Sequence, residues 1–582
     1  MIERTLSKTS KTQIMVSVAT SITLIVDSII ISRFLGTAVM AGYGAASPIL
    51  MIIMAVSGVI SSGSQIICAE KIGKADTDGA NRVVGLSIVI SLLFAAFFIA
   101  ACFGAADFII ILMGVTPGTD VAVSSETYLK GFILGAPAFI GMLSLMPYMQ
   151  LDGNRKCSLM CMAGVTVGDI VGDLLAVFAF RSGIFGVGVA SAVSYYIGVA
   201  FLLSHFLLKK GTLRIRFDHL PWRDAGKIFT YGSSSAIQKV LRTVLGLTAN
   251  RVLLANGGAG ALAAYSVVKS ISNLVESCGQ GISAAVLLIT SVLSADKDKT
   301  GLIRLIKSFI KKSVIYNAVL MGVILIFARP ISFMFLKDGA DIATVETAIR
   351  IIAFDFVFYS IVLCFRNYYQ GTKKTWLALV ITILQGYGFV GTFAILLGSR
   401  FGLYGVCVSY PLSELFSLLF VAVVAFIKNR RLPLHIEDYL LLPPEFDIPQ
   451  EDICEMTVYD MEGVIDASVR AFDFAKAHGI EGEKDRRAVV LSLAVEELAK
   501  NVVTYGFNPN EKHQLDIRLG VKDENLMVRL RDDCIRFSPV DYMNQFSSHR
   551  ENKGIGITMI ANLASDMKYL NALGLNIVHI TV

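Results

Sequence analysis

Residues 128–159 read YLKGFILGAPAFIGMLSLMPYMQLDGNRKCSL, and about 220 residues later the chain reads AIRIIAFDFVFYSIVLCFRNYYQGTKKTWLAL at residues 348–379. A second pair of segments, SGIFGVGVASAVSY and SRFGLYGVCVSYPL, has the same relation. Gly153 aligns with Gly371, and Gly186 aligns with Gly405. The repeat indicates that most of the chain consists of two related halves.

Both halves have the composition of a membrane protein. The chain has 582 residues, 17% of them charged, and a mean hydropathy of +0.64. A soluble globular chain carries about 25% charged residues, and a membrane-spanning helix needs about 20 mostly apolar ones. By that criterion roughly twelve runs qualify, near residues 14–35, 44–68, 83–104, 129–149, 158–180, 186–208, 230–255, 261–290, 313–328, 349–370, 376–398 and 403–427. Because backbone groups in lipid must be satisfied within the segment, we predict an all-α polytopic membrane protein.

Duplicating six spans preserves the topology, because six is even. The two halves are then related by an axis near the membrane normal, with a cleft between them. This arrangement is typical of secondary transporters, in which one half rocks against the other. A channel or a purely structural bundle is the alternative, and neither requires such a repeat.

Loops rich in Lys and Arg alternate with loops that hold few. Basic clusters occur at the N-terminus, in the second and fourth loops, in the long middle loop 209–228, and after the last span at Lys428, Arg430 and Arg431. Short cytoplasmic loops carry the excess of Lys and Arg. We therefore predict a multi-pass protein of the cell membrane with both termini in the cytoplasm.

Three carboxylates lie inside apolar runs of the first half. Asp27 lies in TLIVDSIII, and Asp169 and Asp173 lie four residues apart in VTVGDIVGDLLAVF, so the last two share a helical face. A charge at mid-bilayer is costly and is usually retained for function. Two close carboxylates in a low dielectric retain a proton or hold a cation. Either behaviour would couple an ion gradient to movement.

The second half contains a different set of ionisable residues. Lys239 and Arg242 lie in one span, Glu276 in the next and Asp355 in another. These residues could line a transport cleft, or they could form structural ion pairs that hold the bundle together.

The segments VDSIIISRFLGTAVMAGYGAASPI, GSQIICAEKIGKADTDGANR and YLKGFILGAPAF through QLDGNRK resemble the multidrug and toxic compound extrusion (MATE) family over residues ~10–428. The resemblance implies a twelve-helix antiporter in two bundles, 1–215 and 216–428, that exports organic cations and other amphiphiles against inward H⁺ or Na⁺. It also implies that Asp27 and Asp173 form the ion-coupling site. Asp169 stands where many members have Asn, and the usual acidic residue of helix seven has no clear match.

The chain after residue 428 has a different character. Residues 429–451 form a proline-rich linker, which helices do not cross. Residues 452–582 read as one small α/β domain. We predict a strand at DICEMTVYD, helices at 461–478 and 483–505, paired strands at HQLDIRLGV and NLMVRLRD, a helix at 556–565 and two final short strands.

Polar residues and glycines in this domain follow an order that suits a nucleotide. Glu497 and Asn501 share a helix face in AVVLSLAVEELAKNVVTYGF, residues 488–507. An amide oxygen suits Mg²⁺ bridging phosphates, and a carboxylate suits a general base. Asp532 follows a strand and could accept from an adenine amino group. Gly554 and Gly556 open a helix, where backbone N–H groups can approach phosphate.

This order resembles the N, G1 and G2 boxes of the two-layer GHKL (Bergerat-type) ATP-binding fold. Through LSLAVEELAKNVV and RDDCIRFSP it is similar to the anti-sigma-factor serine/threonine kinases. The resemblance implies that Asn501 ligates Mg²⁺, Glu497 is the catalytic base, Asp532 recognises adenine, and Gly554 and Gly556 flank the phosphates of ATP.

Two positions depart from that family pattern. Cys534 replaces the G1 glycine, and Tyr505 stands where His is common. A histidine kinase shares the fold, but it needs a phosphoacceptor His on a helical hairpin. The linker has only His435, among prolines.

The sequence therefore predicts a secondary active exporter of small organic or xenobiotic compounds, in exchange for H⁺ or Na⁺. The fused ATP-binding domain is predicted to regulate, by sensing ATP or by phosphorylating a Ser or Thr of a cytoplasmic protein partner. The alternative is a membrane receptor that signals through this domain without moving its ligand. We expect no nucleic-acid partner.

Overall fold

The computed structural model describes the chain except for residues 75, 106–107, 110–117, 210, 336–338, 444–445, 447–451, 479–483, 509, 511, 523–524, 541 and 543–554. The first half contains α1 (Ile2–Ile30), α2 (Thr37–Gly73), α3 (Thr77–Gly104), α4 (Asp120–Ile133), α5 (Ala136–Leu151), α6 (Arg155–Leu174) and α7 (Gly183–Leu207). The second half contains α8 (Trp222–Ala295), α9 (Lys299–Phe335), α10 (Gly339–Ala353), α11 (Asp355–Gly371), α12 (Thr375–Ile383) and α13 (Phe389–Asn429).

Within the described ranges, nine helices are long and apolar enough to cross a membrane, or ten if the bent pair α4–α5 forms one span. Two helical stretches turn at glycines with non-helical backbone angles, α8 at Gly258 (φ 66°, ψ −161°) and α13 at Gly402 (φ 57°, ψ −131°). Glycine adopts a positive φ without the steric cost of a Cβ atom. Twelve segments result when α8 and α13 are divided at these glycines, α4–α5 and α10–α11 are each taken as one span, and α12 is joined to the first part of α13 through the π turn Leu384–Gly388. The protein is a multi-pass membrane protein.

The tail continues with the short helix α14 (Ile436–Leu440) and then a two-layer domain. Its elements are β1 (Ile453–Val458), α15 (Met461–His478), α16 (Lys484–Asn501), β2 (Leu515–Lys522), β3 (Asn525–Asp532), α17 (Ile555–Leu563), β4 (Asp566–Ala572) and β5 (Leu575–Thr581). The strands form one antiparallel sheet in the order β1-β2-β3-β5-β4. These elements confirm the predicted strands and helices of the domain.

The sheet has an inner and an outer face. Val528, Leu530 and Ile580 lie on the inner face, in one apolar core with residues of α15, α16 and α17. Leu570 and Ile577 lie on the outer face and belong instead to the apolar core of the membrane helices. Because side chains alternate along a strand, a single sheet can contribute to two cores.

Candidate functional sites

The three predicted carboxylates of the first half are buried close together. Asp27 lies on α1, and Asp169 and Asp173 lie on α6, with 5%, 2% and 0% of their surfaces exposed. The carboxyl groups of Asp27 and Asp169 lie within hydrogen-bonding reach of each other. The hydroxyls of Thr23 and Thr166 also bond at 3.2 Å and join the same two helices.

Asp169 and Asp173 have different surroundings. The Asp169 carboxyl reaches the hydroxyls of Ser191 and Ser194 on α7. Neither carboxyl oxygen of Asp173 has a hydrogen-bond partner among the described residues. A buried polar atom without a hydrogen-bond partner lowers stability. The Asp173 oxygens are therefore available to bind a proton or a cation.

Single π-helical turns follow these positions. Residues Ile31–Leu35 continue α1 beyond Asp27, and Leu175–Ala179 continue α6 beyond Asp173. Two further π turns lie at Leu384–Gly388 and, in the tail, at Val502–Gly506 directly after Asn501. Such turns replace the regular hydrogen bonds of the α-helix with i→i+5 bonds. They are rare and often occur at functional sites.

Glu276 is the centre of a charge cluster in the second half. Arg242 donates to one of its carboxylate oxygens at 2.8 Å, and Lys269 donates to the other at 2.8 Å. Arg242 also donates to the Tyr359 hydroxyl at 2.5 Å. The geometry therefore pairs two of the predicted cleft residues, Arg242 and Glu276, and adds Lys269, which the sequence analysis missed.

A cavity of about 760 Å³ is lined by this cluster and by Lys239 and Asp355. The Asp355 Oδ1 atom is buried without a hydrogen-bond partner among the described residues. Glu414 also lines the cavity and accepts from the Gln385 amide at 3.0 and 3.1 Å. Glu414 and Lys269 lie in apolar helices, so the cost of intramembrane charge could have identified both from the sequence.

The predicted nucleotide residues converge at one end of the tail domain. Glu497 and Asn501 lie on α16, and Gly556 at the start of α17 packs so closely that a Cβ atom there would overlap the Glu497 carboxylate. Asp532 ends β3, where its Oδ1 accepts from the Cys534 N–H at 3.0 Å and from the Asn576 amide at 2.8 Å. Gly554 lies outside the described residues.

The two departures from the family pattern have different consequences. Burial raises the pKa of the Asp532 carboxyl. Burial, with the adjacent Asp532 carboxylate, also raises the pKa of the Cys534 thiol. Tyr505 is 84% exposed, so it does not fill the site.

These residues suit a nucleotide with Mg²⁺. The Glu497 carboxylate and the Asn501 amide supply oxygen atoms of the kind that Mg²⁺ accepts. The missing Cβ of Gly556 gives the Glu497 carboxylate room beside the start of α17, and a helix start of this kind is where phosphate binds readily.

Comparison with known families agrees with this geometry. The family model described as MatE matches residues 13–175 and 234–393, more than half of the chain. The chain belongs to the MatE family. A second model, described as a histidine kinase-like ATPase domain, matches residues 466–582. This MatE protein therefore carries a C-terminal ATPase-type domain, which confirms the predicted fusion.

Curated relatives of the MatE part are distant. The chain is 23% identical to the multidrug export protein MepA of Staphylococcus saprophyticus subsp. saprophyticus over 387 residues, covering 66% of this chain and 85% of that protein. It is 22% identical to the probable multidrug resistance protein NorM of Thermotoga maritima over 365 residues, covering 60% and 75%.

Solved structures show the same membrane fold. The outward-facing conformation of a multidrug resistance MATE family transporter of the MOP superfamily matches with a TM-score of 0.69 and 18% identity, covering 74% of this chain and 95% of that one. A MATE structure in complex with MaD3S matches with a TM-score of 0.68 and 19% identity, over the same shares. The MatE fold predicted from the sequence is confirmed, whereas the roles of individual site residues stay predictions.

Proposed function

We propose that this MatE protein is a secondary active exporter of small organic compounds, driven by inward H⁺ or Na⁺, whose C-terminal domain binds ATP and regulates transport. The pair of buried carboxyls at Asp27 and Asp169 is the observation that carries the proposal. Two carboxyls this close in a low dielectric share a proton or hold a cation. Asp173, one turn from Asp169, supplies a further oxygen pair without a partner.

The cavity beside the Glu276 cluster, which residues of both halves line, supports an organic substrate. Its volume of about 760 Å³ is in the range of small-molecule sites. Its lining combines apolar side chains such as Leu245 and Val390 with charged ones. The relatives MepA and NorM are named for multidrug export and resistance, and we extend export of amphiphilic compounds to this chain.

Gradient-driven dye flux in proteoliposomes tests the coupling site. We expect Asp27→Asn to lose the flux, because the amide can neither exchange a proton nor hold a cation as a carboxylate does. Asp120→Asn, at an exposed position, is the matched control and should transport as the wild type does. Full flux in Asp27→Asn would refute Asp27 as an ion-coupling residue. A wild-type chain that binds the dye but shows no flux would favour the receptor alternative.

For the tail domain we propose ATP binding with Mg²⁺ held by Asn501. Glu497 would take the proton from an acceptor hydroxyl as general base, and Asp532 would accept from the adenine amino group. Bound ATP would supply the transferable phosphoryl group. The acceptor would be a Ser or Thr of a cytoplasmic partner, as in the kinases that the domain resembles.

Nucleotide binding to the full chain tests this site. Asn501→Ala combined with Asp532→Ala should abolish Mg-ATP binding, because the metal ligand and the adenine acceptor are both removed. Asn510→Ala combined with Asp473→Ala changes the same residue types at exposed positions and should leave binding intact. Binding that survives the first pair would contradict the site.

A further inference from the structure

The outer face of the tail sheet contacts the second half of the membrane domain. Arg529 on β3 forms ion pairs with Asp296 and, at 3.3 Å, with Asp298 in the turn between α8 and α9. Arg531 reaches Asp298 at 3.2 Å. Burial alone would raise the pKa of Asp298, but Arg529 and Arg531 hold it well below its usual range. This cluster is buried and ionised, so breaking it would be costly.

The β4–β5 hairpin contacts the first half. The Leu573 N–H donates to the Leu151 carbonyl at 2.6 Å, and Arg155 donates to the Leu573 carbonyl at 2.6 Å. Leu573 is 3% exposed and has φ 60°. A bulky residue in the left-handed region is strained, and such strain persists where the surroundings impose it.

The two halves also contact each other at this end of the molecule. Lys373 forms an ion pair with Glu70, and Lys312 donates to the Glu3 carbonyl at 2.9 Å. This end carries the loops that the Lys and Arg distribution predicts to be cytoplasmic. The tail domain therefore spans both halves where the cleft is closed.

We propose that the outer face of the sheet is a brace that holds the two halves together and keeps the cleft closed at the predicted cytoplasmic end. The proposal rests on the proposed transport function, because alternating access requires the halves to separate at that end. A domain docked on both halves opposes this separation. For the cleft to open at that end, the tail domain must then detach from at least one of the two halves.

The brace connects to the proposed nucleotide site. Asn576, on the docked hairpin, donates to Asp532, and its side-chain oxygen accepts from Asn571 at 3.0 Å. The Asn571 carbonyl in turn contacts the Thr212 hydroxyl of the membrane domain at 3.4 Å, and that hydroxyl donates to Asp152 at 2.6 Å. A continuous set of contacts thus joins Asp532 to the loop between the halves, which is the kind of network through which sites can be coupled.

A charge swap tests the brace on the full chain in lipid nanodiscs. Arg529→Glu places like charges opposite Asp296 and Asp298, and adding Asp296→Arg restores an attractive pair. Arg470→Glu changes an exposed arginine on α15 and is the control. Amide hydrogen exchange is measured at residues 571–576 of the hairpin and at residues 70–73 of α2, and gradient-driven dye flux is measured in proteoliposomes.

We expect Arg529→Glu to speed exchange about tenfold at both segments and to increase flux about fivefold or more. The swapped pair should return both readouts to wild type, and the control should not move them. Unchanged exchange at residues 70–73 would overturn the brace, whether or not the hairpin exchanges faster. If no chain shows flux, the proposed transport function fails, and the two exchange readouts still decide whether the domain holds the halves together.

Discussion

Glu276 neutralises two partly buried basic side chains that line the cavity. Arg242 and Lys269 each bond to one of its carboxylate oxygens, and only 4% of the Glu276 side chain is exposed. When one member of a buried ion cluster is removed, the remaining charges lack a counter-charge. That state is less stable than the intact cluster. The residue thus stabilises the bundle as well as lining the cavity.

Glu276→Gln should therefore lower the free energy of unfolding by about 1–3 kcal/mol, measured by denaturant unfolding in detergent micelles; the loss is below that of a fully buried pair because Arg242 and Lys269 are partly exposed. Glu346→Gln breaks a pair with the more exposed Arg350 on one helix and should cost only about 0.3–0.5 kcal/mol. Equal losses in the two variants would show that the Glu276 cluster has no special role in stability.

The substitution Gly556→Ala adds a single methyl group and tests the proposed nucleotide site. A Cβ there would overlap the Glu497 carboxylate, whereas a Cβ on Gly463 meets its nearest atoms at 3.4 Å, an ordinary contact. We expect Gly556→Ala to weaken Mg-ATP binding about tenfold, because a displacement of Glu497 by a fraction of an ångström disturbs the site. Gly463→Ala should bind as the wild type does. Equal affinities of all three chains would contradict the placement of Glu497 beside the phosphates.

The β4–β5 hairpin is the element of the sheet that contacts the first half through Leu151 and Arg155. Its turn needs a left-handed conformation at both Leu573 (φ 60°) and Gly574 (φ 75°), and Gly574 packs against Gly153. A two-residue turn of this kind matches the twist of the strands, and it favours Asn or Gly at both positions. Leu573 departs from that preference because its side chain is buried against the membrane helices.

Gly574→Ala should loosen the hairpin. The alanine adds about 1–2 kcal/mol of strain in the left-handed region, while its Cβ would meet Gly153 only at an ordinary contact distance of 3.6 Å. We expect amide exchange at residues 571–576 to increase about tenfold. Gly520→Ala, also on the outer face of the sheet, meets nothing closer than 3.8 Å and is the control. Slow exchange in Gly574→Ala would show that the hairpin does not need a glycine at this left-handed position.

Much of the whole architecture could be predicted from the sequence, because membrane spans and alternating strands leave strong patterns. The twelve apolar runs and the internal repeat predicted the membrane fold, and alternation in HQLDIRLGV and NLMVRLRD predicted β2 and β3. Asp27, Asp169 and Asp173 were found because a carboxylate among aliphatic residues is rare.

Contacts between distant segments were not predictable in the same way. Arg529 and Arg531 alternate with apolar residues, and that pattern is normally read as a solvent-facing side of a strand. Asp296 and Asp298 read as ordinary turn residues. Only the folded chain brings them together, so the docking of the tail on the membrane domain was not foreseen. The pairing of Glu276 with Lys269, seven residues away, also needed the structure.

At the scale of the whole molecule, we propose that an ion gradient drives transport and that the ATP-binding domain regulates it. The most direct measurement is dye flux in proteoliposomes under imposed H⁺ or Na⁺ gradients, with and without Mg-ATP on the side of the tail domain. We predict flux that requires one of the gradients, continues without ATP and keeps the same ion dependence when ATP is added. Flux that requires ATP and ignores both gradients would contradict the account and make the tail domain the motor.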